Sequence, residues 1–213
     1  YDAAFARDAN NRLVLLVACN EPLGLHAVTP DGGTAWISRR FNTVTSIAVQ
    51  SAKRRILVTN ELGELLPIDD AGGHDSPRPL GNWPLTRLVS HSDVRPVNGS
   101  SLCGLSYEPN GRPVAVACDA ELRELWTYPL PQAPLNSAVE PIVATNLLGG
   151  AGEWLFAGSD GSLHLVSCDG QFSDHFGHGT KITGIAARIW NNRPTLLICS
   201  PNGVECFAVA VEP

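Results

Sequence analysis

One pattern recurs five times along the 213 residues, and it constrains the fold more than any other feature. Each copy consists of an apolar run, a small polar turn residue, a second apolar run and a further turn. The turn residue that closes the first run falls at Asn20, Asn60, Asp119, Asp160 and Asn202. Successive spacings are 40, 59, 41 and 42 residues, so the repeat period is close to 40.

This period, together with a further short β-rich segment before each copy, is typical of the four-stranded blade of a β-propeller. Helical repeats of similar length need two amphipathic helices in the same space. The 16 prolines and 20 glycines leave no stretch long enough for such helices. The sequence therefore predicts an all-β fold, a β-propeller of four-stranded antiparallel blades.

A single propeller domain is expected over 1–213. Its five blades are predicted at approximately 1–41, 42–82, 98–138, 139–179 and 180–213. The long spacing of 59 is interpreted as one repeat plus an insertion at 74–100.

Two ways of completing the ring are open, because a propeller must close to remove its exposed sheet edges. Five blades close with an outer strand missing, or they belong to a seven- or eight-bladed ring. We favour the larger ring. The chain lacks methionine, and we expect the remaining blades to come from a missing part of a longer chain.

Particular segments resemble known propeller repeats. Residues 42–69 resemble a WD-repeat blade, with Asp69 in the place of the signature aspartate, and 101–128 are similar, with Trp126 in the place of the signature tryptophan. Gly177 and His178 match the Gly-His pair of that family. Residues 155–172, and Trp36 after its Asp-Gly turn, equally resemble the quinoprotein-type repeat. The chain thus resembles a degenerate WD-repeat or quinoprotein-like β-propeller.

Composition narrows the function classes. The net charge is −6 and the 15 basic residues are dispersed, which argues against a nucleic-acid partner. No apolar segment approaches the roughly 20 residues of a membrane span, so no membrane insertion is expected. The six cysteines contain no C-x-x-C spacing and are expected to be unpaired, buried thiols, which favours a cytoplasmic location. The quinoprotein resemblance implies a periplasmic or secreted location instead.

The sequence carries no nucleophile elbow, phosphate-binding loop or dinucleotide fingerprint. We therefore expect no catalytic residue, no cofactor and no metal site.

Candidate partner-binding residues come from two places. The predicted insertion combines an aromatic side chain with basic ones, a mixture typical of interface anchors; its members are Trp83, Arg78, Arg87, His91 and Arg95. The alternative is that Trp83 packs on its own blade as part of a distorted outer strand. Three repeat turns are expected to share one rim of the disc and to form an acidic patch there, with Glu21, Glu61 and Glu121.

The resulting hypothesis is a non-catalytic binding or scaffold propeller with a protein partner. The alternative is a quinoprotein-like propeller of a periplasmic or envelope protein, an enzyme or an assembly factor. The quinoprotein family would imply a bound quinone and a calcium ion in its enzymes, and fold alone does not assign that chemistry.

Overall fold

A computed structural model describes residues 2–91, 99–131, 141–148 and 151–210. These ranges contain eighteen β-strands and a single 3₁₀ turn at Ser51–Lys53. No helix within them has the length and apolar character needed to cross a membrane. The predicted all-β fold is confirmed.

The strands form five antiparallel sheets that follow one another along the chain. Blade one contains β1 (Ala3–Arg7), β2 (Leu13–Ala18), β3 (Leu25–Val28) and β4 (Thr34–Ser38). Blade two contains β5 (Ser46–Gln50), β6 (Arg55–Thr59) and β7 (Leu65–Asp69). Blade three contains β8 (Arg87–Ser90), β9 (Leu102–Tyr107), β10 (Pro113–Cys118) and β11 (Glu124–Pro129). Blade four contains β12 (Ile142–Thr145), β13 (Glu153–Ala157), β14 (Ser162–Ser167) and β15 (Phe172–Gly177), and blade five contains β16 (Gly184–Trp190), β17 (Arg193–Ser200) and β18 (Gly203–Ala208).

The first strand of every blade lies at the centre of the molecule. β1 contacts β5, β5 contacts β8, β8 contacts β12 and β12 contacts β16. The other strands of each sheet follow in order outward from this inner strand. Five sheets therefore stand around a common axis, which is the arrangement of propeller blades.

The core lies between the blades, in four apolar clusters, one at each interface. All six residues of β10 and all five of β13 are buried, because a neighbouring blade covers each face of these strands. Continuous apolar runs are what such doubly covered strands require. Trp154 on β13 is fully buried. Its Nε1 donates to Ser100 Oγ at 2.8 Å, and Ser100 Oγ donates to the Cys168 carbonyl at 2.8 Å.

Two further tryptophans join neighbouring blades by a direct hydrogen bond from the indole to a backbone carbonyl. Trp36 on β4 donates from Nε1 to the Asp70 carbonyl of blade two at 3.2 Å, and Trp126 on β11 donates to the Cys168 carbonyl of blade four at 3.0 Å. Each indole covers a glycine of that next blade; a Cβ on Gly170 would lie 2.7 Å from the Trp126 ring. The assignment of Trp126 to the WD signature position is therefore wrong, since Trp126 lies on the fourth strand of its blade, equivalent to Trp36.

The repeat register also changes in blade three. Asn20, Asn60, Asp160 and Asn202 lie between the second and third strands of their blades, as expected, but Asp119 lies between the third and fourth. The reason is β8, a four-residue inner strand that precedes the segment interpreted as the first strand. The spacing of 59 residues thus contains one additional strand. Blade three begins near residue 87, where β8 starts, rather than at residue 98.

Most of the predicted insertion belongs to the blades. The Leu65 amide donates to the Arg78 carbonyl at 2.8 Å and the Arg78 amide donates to the Leu65 carbonyl at 2.9 Å. Ile68 forms a bridge with His74. Residues 74–78 therefore form an irregular outer strand of blade two, and β8 takes up the other end of the segment. Residues 92–98 lie outside the described ranges.

Trp83 connects this outer segment to blade three. Its half-buried ring packs against the apolar cluster between blades two and three, and Nε1 donates to Glu124 Oε2 at 3.2 Å. Trp83 thus packs within the fold, but its hydrogen bond is to the neighbouring blade three and not to its own blade.

The five blades do not close on one another. Phe5 and Leu13, on the side of blade one that faces away from blade two, are 69% and 45% exposed. Val204, on the far side of blade five, is 68% exposed. In a closed five-bladed ring these side chains would be buried between blades one and five.

Trp83→Ala is expected to lower the free energy of unfolding by about 1–3 kcal/mol, because it removes a half-buried aromatic ring and leaves Glu124 without its indole donor. Thermal denaturation followed by circular dichroism measures the change. Trp190→Ala is the matched control, since Trp190 is 57% exposed, and it should melt close to the wild type. Equal melting of both variants would contradict a structural role for Trp83.

Glu153→Gln should raise the melting temperature at pH 7 by on the order of 2 °C. Burial raises the pKa of the Glu153 carboxyl, although hydrogen bonds from the Leu147 and Leu148 amides oppose the change. Glutamine keeps an acceptor for the Leu147 amide, which lies 2.9 Å from Glu153 Oε2, and removes the buried charge.

The sign of the pH dependence follows from that raised pKa. Protonation favours the folded state, so this group stabilises the wild type as pH falls through its folded pKa and destabilises it as pH rises. The difference between variant and wild type should therefore shrink at acidic pH. A variant that melts below the wild type at pH 7 would show that the amide contacts outweigh burial.

Candidate interaction surface

The ends of the strands define two faces of the disc. The upper face carries the turns between second and third strands and the connections from one blade to the next. The lower face carries the turns between first and second and between third and fourth strands. Backbone hydrogen bonds join the turns and connections of the upper face: the Gly24 amide donates to the Asn42 carbonyl at 3.0 Å, and the Leu85 amide to the Gly63 carbonyl at 3.2 Å.

Two turns of the upper face present a leucine beside a glutamate. Leu62, which follows Glu61 in blade two, is 75% exposed, and Leu23, two residues after Glu21 in blade one, is 46% exposed. The two turns are equivalent by position in adjacent blades. Glu21 and Glu61 thus lie on one rim as predicted, and exposed leucines accompany them.

The blade-two turn is held in one conformation. Asn60 Oδ1 accepts hydrogen bonds from the amides of Leu62 at 3.1 Å and Glu64 at 2.9 Å, and Asn60 Nδ2 donates to Glu64 Oε2 at 2.8 Å. Gly63 has a φ of 74°, and a Cβ there would lie 2.5 Å from the backbone of Pro84. Only glycine fits this close approach. Leu62 is consequently presented on a rigid loop.

Glu121 lies on the opposite face, so the prediction of a single rim for all three glutamates is wrong. The cause is the register of blade three, which places the Asp119 turn between its third and fourth strands. Glu121 Oε1 pairs with Lys53 Nζ at 2.5 Å, and the Lys53 hydrogen bond lowers the pKa of the Glu121 carboxyl. Lys53 neutralises Glu121 on the lower face.

The residues of the predicted insertion do not form one patch. Arg78 is exposed on the outer strand of blade two, and Arg87 begins the innermost strand of blade three. His91 is buried beyond the other end of that inner strand; its Nε2 lies 3.0 Å from the Thr145 carbonyl and its ring meets Trp154 edge-on at 5.5 Å. Arg95 lies outside the described residues. Their roles in binding a partner stay predictions.

The sequence did not predict a chain of hydrogen-bonded side chains that links blades three and four. Tyr128 Oη lies 2.9 Å from His164 Nδ1, His164 Nε2 lies 2.7 Å from Ser162 Oγ, and Ser162 Oγ donates to Asp160 Oδ1 at 2.5 Å. Because the serine donates to the carboxylate, His164 Nε2 donates to the serine. Burial lowers the pKa of His164 and so favours its neutral form, in which Nδ1 accepts from the tyrosine.

This chain differs from a nucleophilic triad. In a triad the carboxylate orients the histidine and the serine gives its proton to that histidine, whereas here the carboxylate takes the serine hydroxyl. The arrangement links two blades through polar groups. Asp160, Ser162 and His164 alternate along one strand end of blade four, but Tyr128 lies 36 residues before His164, so only tertiary structure reveals the link between the blades. Among the described residues, no three or more His, Cys, Asp or Glu side chains converge on a metal position.

The central channel forms a separate concavity of about 400 Å³ lined by the inner strands of blades three to five. Val89, Ile142 and Ala187 supply apolar walls, and His91 and Arg188 supply polar groups. His91 is already bonded within the fold, so the channel wall is largely apolar in the described part of the chain.

Comparison with known proteins gives similarity at the level of structure. No family model matches the sequence, and no curated protein matches it. Among solved structures, BBS1N in its complex with ARL6DN is 16% identical with a TM-score of 0.67; the match covers 95% of this chain and 60% of that one. The WD40 β-propeller domain of Doa1 is 13% identical with a TM-score of 0.61, covering 97% and 64%.

BamB from Moraxella catarrhalis is 15% identical with a TM-score of 0.62, and the match covers 96% of this chain and 56% of that one. The chain therefore spans about 60% of the length of such structures. Identities at this level establish the fold alone. The chain has the β-propeller fold, and its structural matches include both a WD40 propeller and the BamB propeller.

Proposed function

We propose that this propeller is a non-catalytic binding module that recognises a protein partner through its upper face. The observation that carries the proposal is the exposure of Leu62, at 75%, on a loop fixed by Asn60 and Gly63. A rigid, exposed apolar side chain loses little conformational entropy on binding, which favours its use as an interface anchor.

The surroundings of Leu62 indicate the chemistry of the partner. Leu23 provides a second apolar contact on the adjacent blade, and Glu21 and Glu61 flank the two leucines. The chain as a whole carries a net charge of −6. A partner segment that combines apolar side chains with lysine or arginine complements this surface, since charge complementarity favours encounter and register.

A structure with the same fold contains a protein partner. The BBS1N structure is that of a complex with ARL6DN, so one propeller of the same fold is known with a protein bound. We propose the same class of function here. A cytoplasmic location accompanies the proposal, on the ground that the cysteines are unpaired thiols.

A second candidate is a quinoprotein-like propeller of an envelope assembly factor. The observation in its favour is the equivalence of Trp36 and Trp126, which both lie on fourth strands and cover a glycine of the next blade. The sequence around Trp36 resembles that repeat type. Under this candidate the upper face still serves as the binding surface, and the compartment differs.

The double variant Glu61→Lys/Leu62→Ser should weaken partner binding roughly tenfold or more, because it removes the apolar anchor and reverses the adjacent charge. Quantitative affinity capture compares the proteins retained by wild type and variant, followed by titration of the retained partner. Leu125→Ser is the control, since Leu125 is 44% exposed on the outer strand of blade three.

Both proteins should melt with the wild type, because the altered side chains are exposed. Equal partner retention by wild type and the Glu61→Lys/Leu62→Ser variant would overturn the upper-face proposal. A native mass spectrum that detects stoichiometric quinone or calcium would overturn the non-catalytic binding function in favour of a cofactor-dependent one.

A further inference from the structure

The fourth strand of blade four differs from those of blades one and three at one structural position. In each of these three blades the fourth strand carries one extra residue opposite the third strand. The residue that follows this bulge is Trp36 in blade one and Trp126 in blade three, the two indoles that bond to a carbonyl of the next blade. In blade four it is Asp174. An aspartate therefore takes the place of an interblade indole.

The register of blade four directs Asp174 toward blade five. Asp174 lies directly opposite Leu165, and cross-strand neighbours lie on the same face of a sheet. Leu165 is buried in the apolar cluster between blades four and five. Because an aspartate side chain is much shorter than an indole, the space that Trp36 and Trp126 fill at their interfaces is left open at this one.

A cavity of about 320 Å³ lies in this position, between blades four and five. We call it the Asp174 cavity. Its apolar walls include Leu165 and Phe176 from blade four and Leu196 and Phe207 from blade five. The Phe176 and Phe207 rings lie 5.5 Å apart, centroid to centroid. Asp174 also lines the cavity and is exposed, so the cavity opens on the outer circumference of the disc.

The size and chemistry of the Asp174 cavity define the kind of ligand that fits it. Small-molecule sites begin at about 300 Å³ and combine apolar walls with few polar groups. None of the ion pairs within the described ranges includes Asp174, and its Oδ1 accepts from the His175 amide at 2.7 Å. A carboxylate beside aromatic rings favours a cation, through charge and through the cation–π interaction. The apolar walls favour a flat ring.

We propose that the Asp174 cavity binds a small aromatic amine. The ring of the ligand occupies the space that an indole fills at the interfaces after blades one and three, and its ammonium group pairs with Asp174. The site lies between the outer strands of blades four and five, whereas Leu62 lies on the upper face of blade two. The site is therefore separate from the surface proposed to bind a protein partner.

Tryptamine tests the proposal, because it joins an indole ring to an ammonium group through a short chain. Isothermal titration calorimetry at pH 7 should show saturable binding of one tryptamine per chain. Asp174→Asn should weaken this binding roughly tenfold or more, because a hydrogen bond to a charged group is lost. Asp75→Asn is the matched control, since it removes the same charge from an exposed position on blade two, and it should bind tryptamine as the wild type does.

Asp174→Trp is a second variant, in which the chain itself supplies the ring. Its indole should fill the cavity, as Trp36 and Trp126 do at their interfaces, and abolish tryptamine binding. Its melting temperature should equal or exceed that of the wild type, because apolar surface is buried. If this variant does not fold, the comparison of Asp174→Asn with Asp75→Asn decides the proposal.

Indole-3-propionate keeps the ring of tryptamine and reverses the charge, so it should bind at least about tenfold more weakly. Equal affinity of the wild type and Asp174→Asn for tryptamine would overturn the proposal, as would the absence of binding at millimolar tryptamine. Binding of N-acetyl-Lys-Trp-amide about tenfold more tightly than tryptamine would overturn the small-molecule ligand in favour of a protein side chain.

Discussion

The structure depends on the burial of both faces of each sheet by its neighbours. A sheet of three or four short strands is not stable alone when both faces are apolar, and here the four interfaces between five blades supply the core. This constraint explains why the middle blades contain uninterrupted apolar strands such as β10. It also explains why polar groups at the interfaces are hydrogen-bonded, as Ser100 is between Trp154 and Cys168.

Local signals in the sequence were sufficient to predict the β-propeller architecture. The apolar runs and the Asn or Asp turn residues repeat at a fixed spacing, and turn chemistry is read directly from such residues. β8 was missed because its four residues, Arg87–Ser90, follow a proline-rich stretch and carry only two consecutive apolar side chains. That omission displaced Asp119 by one strand, turned an outer strand into an insertion, and assigned Trp126 to the wrong strand.

The candidate surface was predictable in part. Glu21 and Glu61 could be placed on one rim because their turns are equivalent in sequence, and the leucines beside them were visible in the same turns. Glu121 could not be placed correctly without β8. His91 was chosen as a surface residue, yet Thr145 and Trp154 enclose it, and those contacts join residues more than 50 positions apart. The Tyr128–His164 contact is non-local for the same reason.

The indole contacts between blades give the molecule optical reporters of its own assembly. Trp36 spans the first interface, Trp83 the second and Trp126 the third, each with its N–H bonded to the neighbouring blade or its turn. Indole emission responds to the loss of such bonds and to the entry of water. Variants that retain one of these tryptophans at a time would therefore show in what order the blades separate, and whether the propeller loosens from one end or opens throughout.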